Sequence, residues 1–392
     1  MTATSTRSIQ ITGLGLVTPL GVGAWPTFRG LLDGRRITDR RSELPEDTDA
    51  TSLVRAIGCV ATAQHTATDP TVELAERAAR EALDQAGIVS EERIPTYLGT
   101  SKGAVLALTH QHAEHRHLAV ALGPHGYLDH HLSQRLPIEP RGHHVAACAS
   151  SLTALDAARR AILRGDCDRA LVLTAESAMS PAFIHAYHRL GVLASPNKQA
   201  YRETPLAQER GGFTLAELAA AVVLSASDAV TETARTGRGV ELLNTATAAE
   251  AEHLIHPGES MSALAHIADE LFDGRAIDVL HPHAPGTSGH DPRECRVLSA
   301  ACSESSPLIY ANKGALGHGL GASGLVSVVL ACMCLRTGRI PPMSWLADPD
   351  NPPMEGSQLP LTASPQSCGR TGTHAIFAAG FAGHTAGAVI KG

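Results

Sequence analysis

Lysine is almost missing from this 392-residue chain. Lys102, Lys198, Lys313 and Lys391 are the only four, so 28 of its 32 basic residues are arginine. A GC-rich coding bias accounts for the skew, but any chemistry that needs an amine has four places to be. A basic excess is missing too: 32 Lys and Arg face 39 Asp and Glu, a formal net charge of −7 with the 21 His neutral. That balance argues against nucleic acid as the main partner. Aromatics are scarce at 3%, yet 43% hydrophobic and 18% charged residues describe a packed globular chain. The first 21 residues hold one basic residue and an apolar stretch broken by Thr and Gly, unlike a secretory signal. The longest apolar helical run, 325–335, falls short of the ~20 residues that a bilayer requires. These absences predict a cytoplasmic protein without membrane contact. Eight cysteines at irregular spacing read as buried thiols of a reducing compartment, not as a disulfide framework.

Present instead is an alternation of strand and helix signals. Strands are predicted over 8–17, 96–100, 169–175 and 219–225, with a helix over 71–86 closed by Gly87 and another from Cys148 to Gly165. The second half repeats the ingredients, with strands over 277–281 and 308–311 and an apolar helix over 323–336 before Gly338. The class is α/β, two halves of one compact unit.

Three stretches carry candidate chemistry. Cys148 lies among small residues (Ala146-Ala147-Cys148-Ala149-Ser150-Ser151), after a predicted apolar strand and at the start of a helix. A thiol at a helix N-terminus has its thiolate favoured by the dipole and free N–H groups, although a buried structural cysteine is the commoner case. The second stretch runs from Asn312 to Gly324 (NKGALGHGLGASG) and sets Lys313 and His318 five residues apart. Its Gly319–Gly324 portion fits a dinucleotide pattern, but no acidic residue follows about 20 positions on, where Arg336-Thr337-Gly338-Arg339 stands. Tight packing explains the glycines and leaves Lys313 and His318 unexplained. The third stretch holds His281, His283 and His290 in a Gly/Pro loop after a strand end, where ligands gather in open α/β sheets. The His-rich region 110–144 is the rival, as a metal site. Its pairs His110/His112 and His115/His117 are spaced two apart, which splays ligands across a helix, and no acidic or cysteine partner recurs in metal-site order.

Taken together, these motifs resemble the β-ketoacyl-acyl-carrier-protein synthases, condensing enzymes of the thiolase superfamily. The resemblance covers nearly the whole chain: ITGLGLVTPLG near the start, ACASSL at Cys148, the loop ending in Asp291, NKGALGHGLGASG, and Gly380-Phe381-Ala382-Gly383. Order and spacing carry it, with 135 residues from Cys148 to His283, 30 more to Lys313 and five to His318. It implies an α/β thiolase fold, five-layered αβαβα, in two related halves: 1–228 with nucleophile Cys148, and 229–392 with His283, Lys313 and His318. It further implies Cys148, His283 and His318 as the catalytic triad, with Asp291 fixing which histidine takes the family's position. Lys313 is implied to order His318. The backbone N–H groups of Cys148 and Phe381 are implied as the oxyanion hole, with Phe381 also the gate. Substrates would arrive on the phosphopantetheine of an acyl carrier protein or on coenzyme A, with no cofactor or metal bound by the chain. The assembly would be a homodimer, or a heterodimer with a chain-length-factor-like subunit.

Departures from the family pattern matter. Pro285 replaces one of two threonines that hold the pantetheine arm, leaving Thr287, and Ser327 replaces a glutamate near Lys313. Glycines of a strand motif are lost at Ala216, Leu218 and Ala220, and His384-Thr385 stands where Thr-Asn is common. A divergent member implies specialised polyketide or fatty-acid biosynthesis. The alternatives are a non-elongating acyltransferase that uses the acylated cysteine, or a non-catalytic chain-length-factor-like subunit.

Overall fold

The computed structural model describes residues 7–37, 60, 69–89, 92–109, 116–194, 204–229, 239–254, 258–302 and 305–392. Its frame is one sheet whose ten principal strands fall into two matching sets. The first holds β1 (Ile9–Thr18), β2 (Ile94–Gly99), β3 (Ile138–His144), β4 (Arg169–Glu176) and β5 (Leu218–Ala226) in the order β3-β2-β4-β5-β1. The second holds β6 (Val240–Ala249), β7 (Val279–His281), β8 (Leu308–Ile309), β9 (Thr373–Ala379) and β10 (His384–Lys391) in the order β8-β7-β9-β10-β6. Each set thus runs third, second, fourth, fifth, first. In each the first three positions are parallel and the last two connections antiparallel. The sets meet at a short seam, Gln10 opposite Glu241 and Ile11 opposite Val240.

Helices complete five layers. α1 (Pro70–Ala86) covers the outer face of the first set, and α2 (Arg116–Arg135), broken by a kink at Gly123, packs beside it. Asp69 caps α1 by accepting from Thr71 N at 2.9 Å, Pro70 fills its first position, and Gly87 ends it in the left-handed conformation. Its small apolar face (Leu74, Ala75, Ala78, Ala79, Ala82) lies flat on β1, β4 and β5. Between the two sets lie α3 (Ser150–Arg164) and the apolar helix over Ser323–Thr337, which contact each other and strands of both sets. The segment Leu320–Thr337 has the length and apolarity to cross a membrane (mean hydropathy 1.7), but it is 89% buried between the two sets. It is a core helix. Helices Ser262–Phe272 and Asp291–Ala301 cover the far face.

The sequence reading needs correction at the strand before Cys148. The strand before Cys148 is not an apolar run reaching the cysteine but the polar edge strand β3, which ends at His144. The His-rich region is therefore helix α2 followed by that strand, with His110, His112 and His115 outside the described residues. The loop after β7 ends where the sequence reading put it, at Asp291, which begins the helix Asp291–Ala301.

Candidate active site

The repeated topology explains why the candidate residues converge. Cys148 follows β3, the third strand of the first set, and leads into α3. Lys313 and His318 follow β8, the third strand of the second set, and lead into the helix Ser323–Thr337. These are equivalent positions, and the two helices pack side by side, so the loops at their N-termini face one another. His283 follows β7, the adjacent parallel strand. The ligating atoms of Cys148, His283 and His318 lie within 4.8 Å of one another, at the wall of a cavity of roughly 230 Å³.

Backbone strain is concentrated here. Ala147, Ala284, Leu320 and Ala382, with φ of 49°, 37°, 43° and 57°, are non-glycine residues in the left-handed region. Each stands within two residues of Cys148, His283, His318 or Phe381. Such conformations cost about 1–3 kcal/mol apiece and persist only where the surrounding structure holds them. Ser150 helps at Cys148: its hydroxyl accepts from Ala146 N at 2.9 Å and donates to Ala147 O at 2.6 Å. Close approach does the rest. A Cβ at Gly380 would sit 2.8 Å from Cys148 N, so only glycine lets the Phe381 segment lie against the backbone of Cys148. A Cβ at Gly324 would sit 2.7 Å from Leu152, so this glycine of the Asn312–Gly324 stretch is needed for packing α3 against the facing helix.

The electrostatics differ from the simple expectation of a helix-stabilised thiolate. Burial pushes the Cys148 thiol up to about 12, Lys313 opposes the rise and Glu176 adds to it. Cys148 rests as a thiol. Burial, with Lys313 adding to it, holds His283 and His318 well below the usual imidazole range, so both rings are neutral. Their planes are nearly perpendicular with centroids 5.4 Å apart, and Phe213 packs edge-on against His318 at 4.6 Å.

Lys313 does not order His318 by direct contact: its Nζ donates to the backbone carbonyl of His283, while Ser323 Oγ holds His318 Nδ1 at 2.9 Å. Burial lowers the Lys313 ammonium to about 8, and Glu294 works against that fall. Glu294 supplies a negative charge acting on Lys313, near which Ser327 replaces the family's glutamate. Its carboxylate accepts from His283 N and Ala284 N, both at 2.7 Å, and lies 3.4 Å from His290 Nε2. Ser327 instead accepts from Asn312 Nδ2 at 2.7 Å. Asp291 accepts from Leu206 N, Gly286 N and Thr287 N, which fixes the loop that carries His283.

Thr287, Pro285, Phe381 and His290 line the same cavity, together with Tyr187, Phe213 and Leu264. His281, by contrast, points into the core, where its Nε2 meets His374 Nδ1 at 3.1 Å. Among the described residues, Cys148, His283 and His318 are the one group of three or more Cys, His, Asp or Glu with ligating atoms this close. The buried ammonium of Lys313 beside them opposes a metal cation and suits a reaction centre in which negative charge develops. Glu294 and Ser323 were missed from sequence. The signal for Glu294 was its place one turn after His290 on a helix face; for Ser323 there was none.

The chain is similar to known proteins. The sequence matches the family described as beta-ketoacyl synthase, its N-terminal domain over residues 6–229 and its C-terminal domain over residues 241–346. A putative polyketide beta-ketoacyl synthase 1 of Streptomyces halstedii is 27% identical over 383 residues, covering 88% of this chain and 89% of that protein. The 3-oxoacyl-[acyl-carrier-protein] synthase 2 of Mycobacterium leprae is 28% identical over a stretch covering 53% of this chain and 51% of its own length. Among solved structures, a type II polyketide synthase acyl-carrier protein in complex with its ketosynthase, bound to the hexaketide, contains a similar chain. That chain superimposes with a TM-score of 0.84 over 99% of both chains at 20% identity, a likeness of fold. With two family models spanning most of its length and a thiolase fold shared with solved ketosynthases, the chain belongs to the β-ketoacyl synthase family.

Proposed function

We propose that this chain is an active ketosynthase that performs decarboxylative Claisen condensation in polyketide or specialised fatty-acid biosynthesis. The observation that carries this reading is the convergence of one thiol and two neutral imidazoles, within 4.8 Å, on a single cavity. In the first half-reaction Cys148 attacks an acyl thioester and its proton passes to a histidine. The carrier's thiol leaves with that proton, and the acyl group stays on Cys148. Backbone N–H groups of Cys148 and Phe381, brought together by Gly380, stabilise the tetrahedral oxyanion. In the second, a malonyl-type thioester places its carbonyl oxygen between His283 and His318. Ser323 occupies Nδ1 of His318, which leaves Nε2 for substrate. Neutral imidazole N–H donors stabilise the enolate formed as carbon dioxide leaves, without protonating it. The enolate carbon then bonds to the acyl carbon, and the C–S bond to Cys148 breaks.

The substrates are carried on phosphopantetheine of an acyl carrier protein acting in trans, or on coenzyme A. Thr287, which lines the cavity, would bind the arm. A second chain, identical or chain-length-factor-like, would add to edge strand β3, which pairs on one side with β2 among the described residues. A subunit that only shaped a partner's pocket would have no use for a thiol set among histidines.

The test is to incubate the protein with acyl-carrier and malonyl-carrier thioesters and follow intact mass and carbon dioxide release. An acyl adduct, decarboxylation and a lengthened product support the proposal. An adduct without decarboxylation points to the non-elongating acyltransferase. No adduct from any donor, with Cys148→Ala unchanged in a partner-dependent assay, overturns both enzymatic readings.

A further inference from the structure

A third imidazole stands beside the two just described. His290 lines the cavity, its ring nearly perpendicular to that of His283 with centroids 5.1 Å apart. The three rings form a series of falling exposure, 7% for His290, 3% for His283 and 1% for His318. Their charged surroundings differ as well. Lys313 disfavours a positive charge on His283 and on His318. His290 instead faces Glu294, whose carboxylate stays ionised because His290 and the N–H groups of Ala284 and His283 outweigh its burial. An imidazolium at His290 therefore has a counter-charge already in place.

The condensation needs such a proton store. Loss of carbon dioxide leaves its bonding electron pair on the enolate, that pair forms the new C–C bond, and the C–S pair departs on sulfur. Cys148 thus leaves as a thiolate, and one proton must reach Sγ in every turnover to restore the thiol. Acylation has no such demand, because the thiol proton leaves with the carrier's sulfur. During condensation the acyl and malonyl groups occupy the cavity and displace its water, so the proton has to travel through side chains.

We propose that His290 is a positioning and relay residue: it takes a proton from water before the acyl and malonyl groups fill the cavity, holds it against Glu294, and passes it through His283 to the departing Cys148 sulfur. The inference rests on the ketosynthase reading above. It is tested by measuring the two half-reactions separately in the wild-type protein, His290→Ala and His290→Gln. Acylation is followed by intact mass, and condensation by product formation from the pre-acylated protein.

Both variants are expected to acylate within about threefold of wild type and to condense roughly 100-fold more slowly, the lower end of what a positioned acid contributes. Imidazole added to the buffer should restore His290→Ala at least tenfold, through the space the deletion leaves. It should not restore His290→Gln, which fills that space without a transferable proton. Normal condensation in both variants overturns the proposal. So does a loss that imidazole leaves untouched in His290→Ala, or one that falls equally on acylation, since either marks a structural role. A wild-type protein that acylates but releases no carbon dioxide refutes the condensing reading itself, before any variant is compared.

Discussion

The ammonium of Lys313 hydrogen-bonds to the main-chain carbonyl of His283, tying the loops after β8 and β7 together directly behind the reaction centre. The contact is buried, with Lys313 only 5% exposed, and the same charge helps hold both histidines neutral. In a chain with 28 arginines, this position keeps a lysine. A guanidinium is larger and planar, and it cannot donate from a single point to a carbonyl in this space. Lys313→Arg is expected to reduce condensation by about 100-fold while the thermal midpoint stays within a few degrees. Near-normal turnover would show that a cation of any shape suffices.

Glu294 is the opposing charge. Its two oxygens accept from consecutive backbone N–H groups, and glutamine could satisfy only one while turning an NH2 group toward the other. Removing one partner from a buried ionic network costs about 3–5 kcal/mol. Glu294→Gln should lower the urea midpoint by a corresponding amount. It should also weaken activity, because the buried ammonium of Lys313 then has less reason to keep its proton. A variant as stable as wild type would mean that the N–H groups, not the charge, are what the loop requires.

Ser323 acts on one ring. Its hydroxyl sets the tautomer and tilt of His318 from 2.9 Å and touches neither Cys148 nor His283 in the hydrogen-bond network. Ser323→Ala should therefore separate the half-reactions: acylation of Cys148 unchanged, carbon dioxide release from the malonyl thioester down roughly tenfold to 100-fold. An equal fall in both would place His318 in the acylation step as well.

The legibility of this molecule follows from what each residue's sequence neighbours reveal. Cys148, His283, Lys313 and His318 sit in small-residue turns whose spacing is distinctive, and the structure brings all four together. Helix α1 was legible because its cap, its apolar period and its Gly87 stop are local signals. Edge strand β3 was not, since Ile138–His144 is polar along most of its length and owes its conformation to pairing with β2. Glu294 and Ser323 were hidden for a related reason. Each lies at an ordinary helical position, and only tertiary contact shows that one braces the His283 loop and the other His318. The resemblance tied Lys313 to His318, whereas the fold brings its ammonium to the carbonyl of His283, thirty residues earlier in the chain, a contact that no local pattern reveals.

Acid should unfold this protein through its histidines. His281 and His374 stack with ring centroids 5.2 Å apart and Nε2 to Nδ1 at 3.1 Å, wholly inside the core. Burial holds His281 well below the usual range and lowers His374 to about 3. In the unfolded chain each returns to about 6.5. Above that pH both states are neutral and stability is unaffected. Below it the unfolded chain binds protons that the folded one refuses, so stability falls, and for His374 it continues to fall until pH approaches 3. Each such histidine contributes a slope of about 1.4 kcal/mol per pH unit within its window. Urea midpoints measured between pH 7.5 and 5 should therefore decline, and replacing both residues (His281→Leu with His374→Leu) should make the decline shallower. An unchanged slope in the double variant would assign acid sensitivity to the active-site pair His283 and His318 instead, which burial depresses in the same direction.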